Sequence, residues 1–373
     1  MNVTIPKENL SKILFLAQNI VERKATMPIL ANVLLSAGDQ KLKVAATDLE
    51  ITVITTAPAQ VSNAGSITVN AKVFADVVRE LPEGEVVLKV LEGQRLEISA
   101  HNSKLRIIGT NADEYPSLPG MAIDTKAEIS SKQLLEMIGK TLYAVSTDEA
   151  RFNLNGVCFS TVASKDKEAA LRMVATDGHR LAMVTRLVTN LKIEDAVIVP
   201  RKGLGELKKI LDAAGDVKIK IDLRDGFFIV DAGDTKISMR LIDGEFPDYR
   251  QVVPKEAHEV AVVLAADLIQ ALRRVALMVT DKGKCVKMDF AGSTLRVSSS
   301  SPELGDATEE LSIKYTGNPV SIGFNARYLL DLASSLGEEQ PLRIELMGAL
   351  GPGKFMADND ESCLGIVMPM RLS

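Results

Sequence analysis

Tryptophan is absent from this 373-residue sequence, and histidine and cysteine occur three times each. The cysteines, Cys158, Cys285 and Cys363, lie far apart without the spacing of metal ligands, which favours free thiols in a reducing compartment. No apolar stretch approaches the roughly 18 residues of a membrane span, and the first ten residues are too polar for a signal peptide. We therefore expect a cytoplasmic protein with no cofactor, no metal and no membrane contact.

An overall excess of positive charge is also missing. The net charge is −5, whereas a protein that neutralises DNA phosphates is usually basic. Six predicted helices nevertheless hold 13 Lys and Arg against 7 Asp and Glu, an excess of +6 that leaves −11 for the rest of the chain. They cover residues 7–19, 71–80, 131–140, 201–211, 266–274 and 325–336. This distribution suits a DNA-facing surface, and it is equally typical of helix faces that are rich in lysine for solubility.

A short β-run followed at once by an amphipathic helix occurs six times. Apolar residues at i, i+3 or i+4 and i+7 mark the buried face of each helix, as in Leu10, Ile13, Leu14 and Ala17. The predicted helices begin near Glu8, Ala71, Ser131, Arg201, Ala266 and Asn325. Alternate helices are therefore separated by about 125 residues, which indicates an internal threefold repeat.

Between the helices, apolar and polar residues alternate with period two. Residues 217–223 and 237–241 show this pattern on either side of a turn at Asp225-Gly226, which predicts half-buried antiparallel strands. The fold class is thus α+β, with three domains that each contain two β-α-β-β-β halves. We place the domains at 1–122, 123–254 and 255–373, with boundaries near the Pro/Gly-rich stretch 116–120 and at Pro254-Lys255.

The segment ATDGHRLA, residues 175–182, is the best candidate for catalysis. Asp177 and His179 could form part of an acid–base relay. Thr47-Asp48 occupies the equivalent place one repeat earlier, but with Leu49 and Glu50 in place of Gly178 and His179. A Thr-Asp pair that recurs without the histidine favours a structural turn, and residues 178–181 then read as a surface recognition loop. A hydrolase remains the more distant alternative.

Two other segments resemble functional motifs. GALGPGKF, residues 348–355, lacks the Ser or Thr that a phosphate-binding loop needs after its lysine, so a β-hairpin loop is favoured. The C-terminal segment IVMPMRLS, residues 366–373, is unusually apolar for a chain end. It fits either a last strand packed in the domain or a methionine-rich surface that accommodates varied partners.

Taken in order, several strings resemble the bacterial DNA polymerase III beta subunit, the sliding clamp. They are PILANVLL from Pro28, LPEG from Leu81, ATDGHRLA from Ala175, VIVPRKG from Val197, DGEFPDYR from Asp243, GFNARYLLD from Gly323 and VMPMRL from Val367. The resemblance runs from end to end of the chain. It implies a head-to-tail homodimer whose six domains close a ring, with outer antiparallel sheets and inner helices around duplex DNA.

The resemblance also implies partners and the residues that contact them. One partner is double-stranded DNA, which would be bound independently of its sequence. The others are the DNA polymerase III alpha subunit, the clamp-loader delta subunit, and other clamp-binding polymerases and repair proteins. The pocket for a partner peptide would comprise Leu154, Thr176, Gly178, His179, Arg180, Leu181, Pro247, Arg250, Val252, Asn325, Tyr328, Ile366, Val367, Met368, Pro369, Met370 and Arg371. DNA contacts would be made by Lys24, Arg151, Arg201 and Lys202.

The subunit contact implied by the resemblance pairs Leu105 and Ile107 with Leu277 and Met278 of the neighbouring subunit. The sequence departs from the family pattern at three places: Gln251 stands where some members have a second arginine, Phe152-Asn153 follows Arg151, and Ser373 extends the usual ending. The alternative to a clamp is a repeat-built scaffold that binds linear peptide motifs without encircling DNA.

Overall fold

The computed structural model describes residues 1–21, 27–123, 127–163, 169–254, 257–280 and 285–372. Over these residues the chain forms six α-helices, each directly after a strand, as the repeat predicts. They are α1 Lys7–Gln18, α2 Ala71–Glu80, α3 Ser131–Gly139, α4 Arg201–Ala214, α5 Ala265–Val275 and α6 Ala326–Leu336. Helix starts predicted from the sequence agree to within one residue. The buried face of α1 contains Leu10, Ile13, Leu14 and Ala17, which confirms the apolar periodicity.

Contacts divide the chain into two compact units. Unit 1 comprises residues 1–135, 189–191 and 202–241, and unit 2 comprises residues 136–188, 192–201 and 242–373. The division arises because the strands of the predicted central domain are shared between two large sheets, so hydrogen bonding continues past the predicted domain ends. The boundaries at 122 and 254 remain predictions, and Lys255 lies outside the described residues.

Unit 1 contains one mixed-length antiparallel sheet of 13 strands in the order β10-β15-β16-β17-β4-β3-β2-β6-β9-β8-β7-β1-β5. The strands are β1 Asn2–Pro6, β2 Asn32–Gly38, β3 Lys41–Thr47, β4 Ile51–Pro58, β5 Gln60–Asn63, β6 Gly65–Asn70, β7 Glu85–Leu91, β8 Arg95–Ala100, β9 Ser103–Thr110, β10 Glu128–Ser130, β15 Lys218–Arg224, β16 Phe227–Asp231 and β17 Thr235–Arg240. The predicted meander is confirmed by β15 to β17, whose turn holds Asp225 and Gly226 at φ values of 51° and 78°.

Unit 2 contains a nine-stranded sheet in the order β14-β11-β12-β13-β26-β25-β24-β18-β22. Its strands are β11 Gly156–Ala163, β12 Ala169–Thr176, β13 Arg180–Leu187, β14 Val197–Pro200, β18 Glu259–Leu264, β22 Lys314–Thr316, β24 Pro341–Leu346, β25 Gly353–Ala357 and β26 Asp360–Val367. Residues 347–352 connect β24 to β25, which confirms the predicted hairpin loop. A four-stranded sheet, β21-β20-β19-β23, completes the unit. It is formed by β19 Cys285–Ala291, β20 Thr294–Ser301, β21 Gly305–Ser312 and β23 Val320–Asn325.

Two strand pairings continue the sheets across the predicted domain ends. In unit 1, β4 pairs with β17 from Ile51↔Met239 to Thr55↔Thr235. In unit 2, β13 pairs with β26 from Arg180↔Val367 to Val184↔Cys363. Apolar side chains of the sheets and helices are buried beneath both pairings, and each pairing fixes the position of the turn that precedes its first strand.

Candidate functional site

The turn between β12 and β13 is held by its own side chains. One carboxylate oxygen of Asp177, Oδ1, accepts the backbone N–H groups of His179 at 2.9 Å and Arg180 at 3.0 Å. Thr176 Oγ1 accepts the N–H of Gly178 at 3.1 Å and donates to the carbonyl of Arg180 at 2.6 Å. Gly178 has a φ of 87°, which favours glycine. The prediction of a structural turn is confirmed: Asp177 binds the backbone of His179 and not its imidazole.

Arg180 is the most constrained cation in this region. Its Nε donates to Asp177 Oδ2 at 3.0 Å and its Nη1 donates to Asp331 Oδ2 at 2.7 Å. The guanidinium also lies 4.4 Å from the ring centre of Tyr328 and 5.5 Å from that of Tyr143. Burial raises the pKa of both phenols, so both are neutral at neutral pH. The arginine therefore positions the Tyr328 ring instead of offering a free charge to a ligand.

An apolar cluster lies beside the turn. Leu181 and Ile366 face each other across the β13–β26 pairing. The buried members of the cluster are Cys158, Val174, Leu181, Met356, Leu364 and Ile366, with Met183, Phe246, Tyr249 and Val253 packed against them. Burial raises the pKa of the Cys158 thiol to about 11, so this cysteine is a neutral apolar side chain at neutral pH. The cluster provides a water-excluding floor for apolar groups.

A groove of about 870 Å³ opens in the same unit. It is lined by Arg250, Gln251, Val252, Val253, Pro254, Met347, Pro352 and Met368. The structure thus brings the predicted Arg250, Val252 and Met368 together. Val253, Pro254, Met347 and Pro352 were not predicted from the sequence. The apolar run after FPDYR could have indicated the first two, whereas the others belong to a loop that we read only as a hairpin connection.

A second, more polar cavity of about 750 Å³ contains residues from both predicted sites. His179, Arg180, Asn325 and Tyr328 of the predicted peptide pocket line it together with Arg151 and Arg201 of the predicted DNA contacts. Asn325 caps α6, because its side chain accepts the N–H of Arg327 at 3.0 Å. The cavity can accommodate polar and anionic groups next to the apolar groove.

The C-terminal segment is fastened at two points. The N–H of Met368 donates to the carbonyl of His179 at 2.9 Å, and the N–H of Met370 donates to the carbonyl of Gly323 at 2.8 Å. A Cβ added at Gly323 would lie 2.8 Å from both Met370 O and Cys285 Sγ, so the segment packs directly on glycine. The prediction of a last strand is confirmed by β26. Met368, beyond this strand, lines the groove, and a partner-binding role for the segment stays a prediction.

The remaining predicted pocket residues occupy varied environments. Leu154 and Val367 are buried, Thr176, Pro369 and Met370 are partly buried, and Pro247 and Arg371 are exposed. Gln251, which departs from the family pattern, donates from Nε2 to Asp248 Oδ2 at 3.3 Å. The extra Ser373 lies outside the described residues.

The predicted DNA-contact residues differ in whether their cationic groups already bind other groups of the protein. Arg151 donates from Nε to Asp148 Oδ2 at 3.0 Å and from Nη1 to the carbonyl of Asp177 at 3.1 Å. Lys202 donates to Asp48 Oδ2 at 2.6 Å, so its ammonium is already engaged. Arg201 is exposed, and Lys24 lies outside the described residues.

The predicted subunit contacts lie at two sheet edges. β9 bonds to β6 only at Gly109 and Thr110, so the edge from Ser103 to Ile108 has no strand partner in the described part of the chain. Leu105 is exposed there, and Ile107 is partly buried. Ile108, which the sequence analysis missed, is 81% exposed.

The other edge belongs to unit 2, where β21 is the end strand of its sheet. Leu277 and Met278 belong to a short 3-10 helix after α5, and Leu277 is 71% exposed. Large apolar side chains beside an unpaired strand edge are typical of an interface that continues the sheet.

Within the described ranges, no group of three or more His, Cys, Asp or Glu side chains could hold a metal ion. A search of the same residues finds no helix that is long and apolar enough to cross a membrane. The three cysteines are free thiols: Cys158 and Cys363 are buried and Cys285 is partly buried.

Comparison with protein families matches three successive models to the chain. They describe the N-terminal domain of the DNA polymerase III beta subunit at residues 1–119, its central domain at 128–248 and its C-terminal domain at 250–371. Among curated proteins, the chain is 33% identical to the beta sliding clamp of Caulobacter vibrioides and 32% identical to that of Escherichia coli K12. Each alignment covers 100% of both chains.

Solved structures give the same result. A DnaN sliding clamp from Bartonella birtlesii, crystallised with griselimycin, superposes with a TM-score of 0.93 at 34% identity. A beta sliding clamp from Caulobacter crescentus superposes with a TM-score of 0.92 at 32% identity. Both comparisons cover 100% of each chain, so the resemblance includes every domain.

Proposed function

Because this chain belongs to the DNA polymerase III beta subunit family, we propose that it works as a DNA polymerase processivity clamp. It is a non-catalytic subunit that encircles duplex DNA and tethers the replicative polymerase. The full-length match to sliding clamps carries this proposal. A ring resists dissociation through its topology, so weak contacts to phosphates, which do not depend on sequence, are enough for binding and still permit sliding.

DNA contact is assigned to Arg151, Arg201, Lys202 and Lys24. Of the three that the structure describes, Arg201 is the freest, because Arg151 and Lys202 already bind carboxylates. Phosphates must compete with Asp148 and Asp48 for these two cations. Such competition suits a sliding protein, because each phosphate contact then contributes little binding free energy and is readily exchanged.

Ring closure is assigned to a head-to-tail homodimer. The β9 edge carries Lys104 and Arg106 beside Leu105, whereas the β21 edge carries Glu309 and Glu310 near Leu277. Within the chain, Lys104 and Arg106 pair with Glu97, and Glu309 and Glu310 pair with Arg274 and Arg296, so charge attraction across the interface requires these pairs to exchange partners. Both edges present exposed apolar side chains. Antiparallel pairing of β9 of one subunit with β21 of the other would satisfy both open strand edges.

The apolar groove is assigned to a short linear peptide of the polymerase alpha subunit, the clamp-loader delta subunit or other clamp-binding proteins. Apolar side chains of the peptide would lie over Val252, Val253 and Met368, and polar groups would reach the adjoining cavity near Asn325 and Tyr328. A dry centre with a polar rim is the usual arrangement for such recognition.

Topological retention tests the clamp. After loading onto nicked circular DNA, the protein should remain bound, and cutting the circle should release it. The free protein should have a mass near twice 40.3 kDa. The double variant Ile108→Asp/Leu277→Asp is the matched control: it should be a monomer that is not retained on circles. Equal retention on circular and linear DNA would instead support a peptide-binding scaffold that does not encircle DNA.

A further inference from the structure

The β4–β17 pairing lies against α1. The β13–β26 pairing lies against α6 and is joined to α3 through Arg186 and Glu136. The registers of the two pairings can be matched, because Arg240 N–H donates to Glu50 O at 2.8 Å and Met368 N–H donates to His179 O at 2.9 Å. Counting along the strands from these two bonds makes Ala57 the counterpart of Arg186 and Ala232 the counterpart of Asp360. The side chains at these positions can therefore be compared directly.

In unit 2 this place is filled by a charged network. Arg186 Nη2 donates to Glu136 Oε1 at 2.8 Å and to Asp360 Oδ2 at 2.7 Å. Lys140 approaches Glu136 Oε1 at 2.7 Å. The side chain of Arg186 is only 18% exposed, so the guanidinium occupies the space between α3 and the sheet.

In unit 1 none of these four side chains is reproduced. Lys12 on α1 stands in place of Glu136 when the two helices are aligned at their first residues, Lys7 and Ser131. By the same alignment Leu16 replaces Lys140, while Ala57 and Ala232 replace Arg186 and Asp360. Loss of the arginine side chain leaves a cleft of about 410 Å³ between α1, α4 and the ends of β4 and β17.

The cleft has both apolar and cationic walls. Ile13, Leu16, Ala57, Pro58, Ile210 and Val217 give apolar surface. Lys12 and Lys218 also line the cleft, and neither ammonium has an ion-pair partner within the residues that the structure describes. The one acidic lining residue is Asp234, whose carbonyl accepts the Thr56 N–H at 2.8 Å. The lining residues therefore carry a net charge of +1.

We propose that this cleft is a binding site for a small amphipathic anion, that is, an aromatic or short aliphatic carboxylate, sulfonate or phosphate monoester. The apolar body would lie against Leu16, Ala57 and Ile210, and the anionic group would reach Lys12 and Lys218. The volume lies within the roughly 300–1,000 Å³ of small-molecule sites. A bound ligand would connect α1 to α4 across the β4–β17 pairing and stiffen that part of the sheet.

The test uses the full-length protein and the fluorescent aromatic sulfonate 1-anilinonaphthalene-8-sulfonate. One dye molecule per chain should bind with saturation, insensitive to an excess of peptide that occupies the groove near Met368. Ala57→Leu should weaken binding by at least about tenfold, because it fills the space next to Leu16 and Ile210 without adding a charge. Lys12→Gln should weaken it several-fold through loss of the charge, whereas Lys209→Gln on the outer face of α4 should leave it unchanged.

A second filling variant, Ala213→Leu at the rim of the cleft, covers the case in which Ala57→Leu does not fold. Both filling variants are compared with the parent by thermal unfolding, since a partly unfolded protein also binds the dye. Equal dye affinity in the parent and in a folded filling variant would overturn the proposal, as would dye that peptide displaces completely.

Discussion

The β4–β17 and β13–β26 pairings share a backbone design but differ in the chemistry of their side chains. Both begin with a Thr-Asp turn. Asp48 Oδ1 accepts the N–H groups of Glu50 and Ile51 at 3.0 and 2.6 Å, as Asp177 does for His179 and Arg180. The second oxygen of each aspartate binds a cation, Lys202 in unit 1 and Arg180 in unit 2. The turn is therefore structural in both units and cannot by itself specify a pocket.

Side chains on the shared face make the difference. Leu181 and Ile366 in unit 2 correspond to Thr52 and Ser238 in unit 1, and all four are buried. Burial of Leu181 and Ile366 removes apolar surface from water and stabilises unit 2. The buried Thr52 hydroxyl bonds to Thr47 Oγ1 at 2.8 Å, whereas the Ser238 hydroxyl has no hydrogen-bond partner in the described part of the chain.

The linker aromatic adds a second difference. Tyr115 in unit 1 accepts the N–H of Thr47 at 3.2 Å and donates to the carbonyl of Asn32 at 3.3 Å. Burial raises the pKa of Tyr115 to about 12. The corresponding Phe246 in unit 2 has no hydroxyl and is only partly buried against the apolar cluster. The two units therefore share the turn but differ in the apolar cluster beside it, which, among the described residues, only unit 2 has at this place.

Among the changes considered, removal of the C-terminal segment is expected to have the largest effect. Deletion of residues 368–373 removes Met368 from the groove, and affinity for a polymerase-type peptide should fall more than about 100-fold, roughly 2.7 kcal/mol. Fluorescence anisotropy measures the affinity, and sedimentation should show an intact dimer. The matched control is Arg240→Ala, at the position in unit 1 that corresponds to Met368, which should not change the affinity. Unchanged peptide affinity in the deletion would remove the pocket assignment.

Exchange of the buried side chains sharpens the difference in polarity. Ile366→Ser should destabilise the protein by about 2–3 kcal/mol, because it removes buried methyl groups and buries a hydroxyl. Ser238→Ala should be neutral or slightly stabilising, since Ser238 Oγ is buried without a hydrogen-bond partner in the described part of the chain. Urea unfolding measures both variants. A larger cost for Ser238→Ala than for Ile366→Ser would contradict the contrast.

The Arg186 network should make unit 2 the more acid-sensitive of the two. Burial alone would raise the pKa of Glu136 and Asp360, but hydrogen bonds and nearby cations outweigh it and lower the pKa of both. A lowered pKa gives stability that is present above the ordinary values of 4.5 and 3.8 and is lost as the pH falls through the lower folded values.

Hydrogen exchange between pH 6 and 3.5 can measure this difference. Below about pH 4.5, protection of β13 and β26 should fall more steeply than that of β4 and β17. Arg186→Met should reduce the pH dependence of hydrogen-exchange protection in unit 2. Arg79→Met, which replaces an exposed helix arginine in unit 1, serves as the control. Parallel pH profiles in Arg186→Met and the parent would contradict the assignment of the slope to this network.

Exchange of the turn residues should have the smallest effect. Leu49 has a φ of 77° and is 50% exposed, whereas its counterpart Gly178 has a φ of 87°. Leu49→Gly should change stability by less than about 1 kcal/mol, because relief of the left-handed strain is offset by the flexibility of glycine in the unfolded chain. Gly178→Leu should cost about 1–2 kcal/mol, since its Cβ would lie 3.0 Å from Arg151 Nη1. Thermal unfolding compares the two directly.

The amino-acid sequence by itself determined the local structure. Apolar periodicity predicted the six helices, the alternation at 217–241 predicted the meander, and the recurrence of Thr-Asp identified a turn rather than a catalytic pair. These features depend on residues close together in the chain, so their signals survive without coordinates. The family resemblance then predicted a peptide pocket, DNA contacts and a dimer edge as sets of residues.

Only the tertiary structure decided how distant segments combine. Met347 and Pro352 reach the groove because β24 and β25 lie beside β26 in the sheet, a neighbourhood that no local pattern records. The engagement of Lys202 by Asp48 and the cleft left by Ala57 likewise depend on pairings between residues more than 150 positions apart. Periodicity in a sequence indicates which face of a helix or strand is buried. The same apolar face could pack against many other elements, and only the tertiary structure shows which one it contacts.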